Sequence, residues 1–265
     1  MALRRPSRWG VAAGRIGVIT ALLLLWELAA GGLGLGRDWV DPLFFSRPSR
    51  IVNDLYHGFG SGEIHGDLLF TLQGALGGLI LGIVTGVAVG FLFAYSSWIA
   101  QVFEPIMVAL NSLPRPALAP VLPVIFGLGL TSKIVLSWSI VFFVMFYNSY
   151  WGVRSVDAAH VKMARVMGAG TLQVLRLVVV PSVFSWVFAA LRVSVAFSLR
   201  GAIVGEFVGS TQGLGYQMLL ARGLMNTDRV YSILFVLMFV GVVLTSGATW
   251  LENRLLRWRP TTSSF

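Results

Sequence analysis

Cysteine is absent from the 265 residues, which excludes a disulfide framework, a thiolate metal site and a cysteine nucleophile. Charge is scarce. Asp, Glu, Lys and Arg make up 12% of the chain, about half the ~25% of an ordinary soluble domain. The three histidines, His57, His65 and His160, stand far apart in sequence and offer no metal-binding cluster. Lysine occurs only at Lys133 and Lys162, neither of which follows a glycine. The phosphate-cradling pattern G-x-x-x-x-G-K-[ST] is missing, so the chain carries no ATP site of its own. No Ser-His-Asp set and no pair of carboxylates within one apolar run stands out. Catalysis has little to work with here, and the sequence is read as that of a non-enzyme without cofactors.

What is present is apolar: 56% of residues are hydrophobic. The reading is an all-α polytopic membrane protein with about six transmembrane helices. The spans fall near residues 16–36, 68–95, 102–130, 133–151, 177–205 and 230–250, each with about 20 residues or more as a bilayer requires. Residues 1–15 form a polar N-terminus, 16–251 a single transmembrane domain and 252–265 a polar tail. The first run resembles a cleaved signal peptide in its basic start, but its length and the internal Glu27 favour a retained span. From Ser49, the positions Ile51, Val52, Leu55, Tyr56 and Phe59 make an amphipathic helical stripe suited to a membrane surface.

Several spans carry irregular features. Gly74, Gly78, Gly82, Gly86 and Gly90 recur at four-residue steps in the second span, and such a row admits close approach of another helix. Pro105, Pro114, Pro116, Pro120 and Pro123 interrupt the third. Broken backbone at membrane depth survives only where protein or a wet cavity satisfies it, so the nearby Asn111 and Arg115 are pathway candidates, with snorkelling to an interface as the alternative for Arg115. The fifth span contains Arg192 and Arg200, followed by Glu206. An internal pair of Arg200 with Glu206 is the expected structural role, and Arg192 is left open. These five residues are the candidate translocation pathway. GLGYQM at 213–218 lacks the spacing of a dinucleotide site, and residues 206–229 read as a re-entrant loop or short helix pair.

Positive charge sets the orientation. Arg4, Arg5, Arg8 and Arg15 lie at the N-terminus, Arg154, Lys162, Arg165 and Arg176 in the loop 152–176, and Arg254, Arg257 and Arg259 in the tail. The opposite face has Arg37, Arg47, Arg50, Lys133, Arg222 and Arg229, mixed with acids. By the positive-inside rule both termini and the loop are cytoplasmic, and the net charge of +9 needs no nucleic-acid partner.

That loop holds the most informative stretch, GVRSVDAAHVKMARVMGAGTLQVLRLVVVP. Ser155 or Asp157 caps a short helix that runs through Met163, Ala164 and Met167 to Gly168 and Gly170, and Pro181 closes the stretch where the next span begins. The stretch resembles the signature of binding-protein-dependent ABC importer permeases: Glu-Ala-Ala, three residues, Gly, nine residues, then Ile-x-Leu-Pro. Set on Gly168, it falls on Lys162, Met163 and Ala164, then on Val178, Val180 and Pro181. The Gly-to-Pro spacing matches, while Lys162 and Met163 depart from the Glu and the first Ala. The resemblance covers roughly residues 41–259 and is strongest to permeases of the nitrate/sulfonate/taurine type. It implies a type I ABC importer permease with a cytoplasmic coupling helix in a bacterial inner membrane. It also implies homodimerisation, two cytoplasmic ATP-binding subunits that hold ATP and Mg, and an extracytoplasmic substrate-binding protein. The coupling set is then Asp157, Lys162, Met163, Ala164, Gly168, Ala169 and Pro181, and a bulky residue at Gly168 would obstruct the helix end. The solute implied is a small anion. A thiamine pyrimidine, riboflavin or an aromatic carboxylate is the alternative. An ion-coupled secondary transporter or channel and a non-transporting scaffold are the rival classes. The first is disfavoured by the near absence of acids within the spans and of an internal repeat.

Overall fold

The computed structural model describes residues 8–31 and 44–255. The expectations for Arg4, Arg5, Arg37, Arg257, Arg259 and residues 32–36 of the first run lie outside them. In chain order the helices are α1 (Arg8–Ala29), α2 (Pro48–Gly60), α3 (Glu63–Tyr95), α4 (Ser97–Ser112), a 3-10 turn (Arg115–Leu118), α5 (Leu122–Phe126), α6 (Leu130–Arg154), α7 (Ala158–Val166), α8 (Thr171–Val174), a π turn (Leu175–Val179), α9 (Val180–Val208), α10 (Leu214–Gly223) and α11 (Thr227–Leu255). Among the described residues four helical stretches, Glu63–Tyr95, Leu130–Arg154, Thr171–Val208 and Thr227–Leu255, are long and apolar enough to cross a membrane.

The segment 102–130, expected to be interrupted by its prolines, divides into α4, the 3-10 turn and α5. Pro114 and Pro116 flank the break, where a continuous α-helix would lose hydrogen bonds and meet ring clashes. Pro181, expected to close the loop stretch, lies inside helical backbone that runs from Thr171 to Val208. Val180 N–H reaches Leu175 O, five residues back, and this wider π turn brings the chain past the proline without a stop.

The chain divides into two compact units, residues 1–65 with 217–236 and residues 66–216 with 237–265. In the first, Trp26 packs on Tyr231 and stacks on Phe235. Glu27, the one acid in its apolar run, accepts the Ser49 N–H at 3.0 Å and the Ser49 hydroxyl at 2.8 Å, a carboxylate at the positive end of α2. The expected apolar stripe of α2 is divided: Ile51 is buried, while Val52 and Tyr56 face outward. Arg229 binds Asp54 at 3.4 Å, Glu63 at 3.2 Å and the Gln217 side-chain Oε1 at 3.1 Å.

In the second unit α6 is the core helix, packed between α3 and α9. The glycine row lies on it throughout. A methyl group on Gly82, Gly86 or Gly90 would come within 2.5 to 2.7 Å of Val141, Phe142 O and Phe146 O respectively. Gly74 faces Lys133 and Gly78 faces Ser137, so both helices contribute every fourth residue and both run in the same chain direction. A contact repeat of four exceeds the 3.6 of the helix, and a pair that keeps it wraps right-handed. On the other side Gly201 sits against the Ser137 backbone, and the Ser137 hydroxyl donates to Ser198 O at 2.9 Å. Leu79, Val141, Met145, Ala190, Val195 and Ala248 form a shared core.

Candidate functional site

Asp157 is the N-cap of α7, its carboxylate accepting the Ala159 N–H at 2.8 Å. Ser155, the other candidate, instead closes α6 and donates to Gly152 O. The far end of α7 has two linked bonds: Ala169 N–H to Ala164 O and Gly168 N–H to Arg165 O, both 3.0 Å. This is a Schellman end, which needs a left-handed residue at the second position past the helix. Gly168 supplies it with φ +87°. Nothing lies within 4 Å of where its Cβ would be, so the reason for glycine is backbone conformation and not obstruction.

The two faces of α7 differ. Val161, Ala164 and Ala169 pack inward against the buried Val174, Val179 and Val183, with Val153 and Val156 beside them. Outward stand Met163, Val166 and Met167, 63%, 88% and 81% exposed, flanked by exposed Lys162 and Arg165. The Gln173 side chain accepts the Gly170 N–H at 2.8 Å and ties the start of α8 to the turn. Pro181 is the second residue beyond the π turn. The element is thus a short helix with an apolar exposed face, joined by buried valines to a 38-residue helical rod.

The pathway candidates scatter. Asn111 and Arg115 line one cavity of about 320 Å³ with Ile140, Phe143, Val144, Tyr147 and Asn148. Arg192 lies elsewhere, bound to Glu252 of α11 at 2.7 Å. Arg200 stands over the Phe197 ring at 5.5 Å. The expected pair of Arg200 with Glu206 does not form. The Glu206 carboxylate turns to the Gly215 N–H at 2.8 Å and the Thr71 hydroxyl at 3.1 Å. At 1% exposure the buried carboxylate takes the donors packed against it, one backbone amide and one hydroxyl, both on Oε2.

This reveals a polar node that the sequence did not disclose. The first amides of α10 are taken in succession: Gly213 N–H by Asp67 at 2.6 Å, Leu214 N–H by the Thr71 hydroxyl at 2.9 Å, and Gly215 N–H by Glu206. The Gly-Leu-Gly stretch is therefore a helix start fitted around carboxylates, with Gly213 at φ +107°. Lys133, expected on the outer face, is 0% exposed. Its ammonium donates to Leu128 O, Gly209 O and the Ser132 hydroxyl, filling all three of its donors. The available signal was its place three residues inside an apolar helix. Among the described residues no group of His, Cys, Asp and Glu is arranged to hold a metal ion.

Residues 78–257 match the family model for the binding-protein-dependent transport system inner membrane component. The chain belongs to this family, the membrane permeases of ABC importers. The permease is 30% identical over 237 residues to the riboflavin transport system permease protein RibX of Chloroflexus aurantiacus, covering 89% of this chain and 87% of that protein. It is 30% identical over 238 residues to a putative aliphatic sulfonates transport permease protein, SsuC of Bacillus subtilis, covering 90% and 84%. Its fold matches an inward-facing structure of the MetNI methionine ABC transporter with TM-score 0.63 and 18% identity, over 71% of this chain and 94% of that one. The permease is accordingly a multi-pass inner-membrane component of a solute importer, and the range of its relatives leaves the solute open.

Proposed function

We propose that two copies of the permease form the pathway of an ATP-driven importer for a small anionic solute, with α7 as the coupling helix. Two cytoplasmic subunits bind ATP and Mg, an extracytoplasmic protein delivers the solute, and both termini of the permease are cytoplasmic. The permease itself performs no chemistry. The observation that carries this reading is the exposed Met163, Val166 and Met167 face on a helix locked at both ends. Apolar side chains of this size in water, on the side marked cytoplasmic by its arginines, suit a protein groove. Rigid linkage through Ala164 and Ala169 to the valines of α8 and α9 supports the transfer of movement from that groove into the membrane. Asp157, Lys162 and Pro181 belong to the same element, as helix start, rim charge and continuation into the span. Lys162 suits an acidic residue on the ATP-binding subunit.

Alternating access then follows from pulling one rigid element. Closure of the two ATP-binding subunits draws the paired coupling helices together, and the linked spans reorient. Purification of the tagged permease from its native membrane in mild detergent tests the reading. A P-loop ATPase is expected to remain bound to the wild type and to be lost from Gly168→Val. A folded, monodisperse permease that retains no ATPase under any mild condition overturns it.

A further inference from the structure

Arg115 is placed where the membrane-embedded chain breaks. It opens the 3-10 turn between Pro114 and Pro116, and its guanidinium stands 4.3 Å from the centre of the Phe143 ring. Phe143 is near the middle of α6, about 20 Å along a helix of 25 residues. A discontinuous helix at the depth of the bilayer centre is where solute sites are built in transport proteins, because the interrupted backbone must face protein or a wet cavity. The cavity of about 320 Å³ lies there.

The chemistry of its lining is one-sided. The Arg115 side chain spends one N–H on Leu110 O at 2.8 Å and is in no ion pair with a described carboxylate. Asn111 and Tyr147 line the same cavity, and no described group hydrogen-bonds to either side chain. Asn148 donates one N–H to Val144 O at 2.8 Å. No acid lines the cavity. Glu104 on α4 lies near Tyr147 but outside the lining. The remaining walls are Ile140, Phe143 and Val144. The other arginines of the spans differ: Arg192 is paired with Glu252, and Arg200 rests on its own helix over Phe197.

We infer that the cavity of Arg115, Asn111 and Tyr147 is a binding site for an organic oxyanion, with its sulfonate or carboxylate on Arg115 and its apolar body against Phe143 and Val144. A guanidinium with unused N–H groups and two further donors offers the planar, multidentate recognition that an oxyanion needs. The apolar walls Ile140, Phe143 and Val144 favour an organic anion over a bare inorganic one, since they offer burial to an apolar body that an inorganic anion lacks. The place of this site in transport rests on the permease reading; the site itself does not.

The lack of cysteine makes the test direct, because any introduced thiol is unique. In the full-length protein in its native membrane, Val144→Cys, with Ile140→Cys as a second reporter, is treated with two methanethiosulfonates. One bears an anionic ethylsulfonate and the other a cationic trimethylammonium group, and rates are normalised to a free thiol in solution. The anionic reagent is expected to be favoured on the order of tenfold, the concentrating effect of a local cation in a cleft. Arg115→Gln in the same background is expected to abolish the preference, while Arg115→Lys keeps part of it. Benzenesulfonate is expected to slow labelling at lower concentration than nitrate. Equal rates, a cation preference, a preference that survives Arg115→Gln, or no reaction of either reporter in folded protein overturns the site. Equal protection by nitrate and benzenesulfonate overturns the assignment of an organic anion. Retention or loss of the ATPase is read separately, so failure of the site and failure of the importer reading are distinct results.

Discussion

The Ala169 amide donates to the Ala164 carbonyl at 3.0 Å, six residues apart counted inclusively, and that bond closes α7 over the valines beneath it. Both alanines belong to the signature region, and the bond gives their small size a reason: each is close to the rod formed by α8 and α9. The glycine between them is held at φ +87° with open space around it. The exposed face of α7 is thereby fixed in direction relative to the membrane span.

Conformation, not volume, therefore governs position 168. Asn tolerates the left-handed region and a β-branched residue does not. Gly168→Asn is expected to couple nearly as well as the wild type, and Gly168→Val to lose most ATPase stimulation by the loaded binding protein. The local cost for an ordinary side chain is about 1 kcal/mol, so expression is expected to hold. Comparing ATPase stimulation in proteoliposomes across the two variants decides it; equal impairment would return the explanation to bulk.

The interface of α3 with α6 has no room for a side chain. A Cβ on Gly86 would lie 2.6 Å from Phe142 O and 2.7 Å from Met145 Cβ. Gly86→Val is expected to destabilise by about 1–3 kcal/mol, as overpacking does, and to lower the thermal aggregation temperature in detergent. Gly66→Ala on the same helix meets nothing within 4 Å and is expected to leave it unchanged.

Glu206 holds the start of α10 through Gly215 and shares Thr71 with Leu214. Glu206→Ala leaves buried donors without an acceptor, a loss of about 1–3 kcal/mol. Glu206→Gln keeps one oxygen for Gly215 and is expected to lose less. A thermal-shift series in detergent reads the order; a Gln variant as unstable as the Ala variant would show that the charge, and not the acceptor, matters.

Arg192 was open between pathway and structure when read from sequence, and its 2.7 Å contact with Glu252 favours structure. Arg192→Gln is expected to reduce uptake only in proportion to protein level. The exchange Arg192→Glu with Glu252→Arg is expected to recover both. Uptake per copy that falls well below the protein level, measured by quantitative immunoblot beside transport, would return Arg192 to the pathway.

The sequence disclosed the parts whose signal is local. Scarce charge and long apolar runs declare membrane helices, because a bilayer selects composition residue by residue. The glycine row declares close packing, since only a missing side chain permits it. The end of α7 at Gly168 is a local backbone event within six residues, so its spacing survives in the primary structure even where Lys162 and Met163 depart from the motif. The proline cluster announced a break but not its course. Contacts across long separations were not legible. Glu206 pairs with Thr71, 135 positions away, and not with the arginine six residues before it. Lys133 is buried by Gly209, 76 positions on. Arg115 meets Phe143 across a cavity made by two segments. Buried charges take whichever partners the packed helices bring within reach, and that choice exists only once α3, α6 and α9 are assembled.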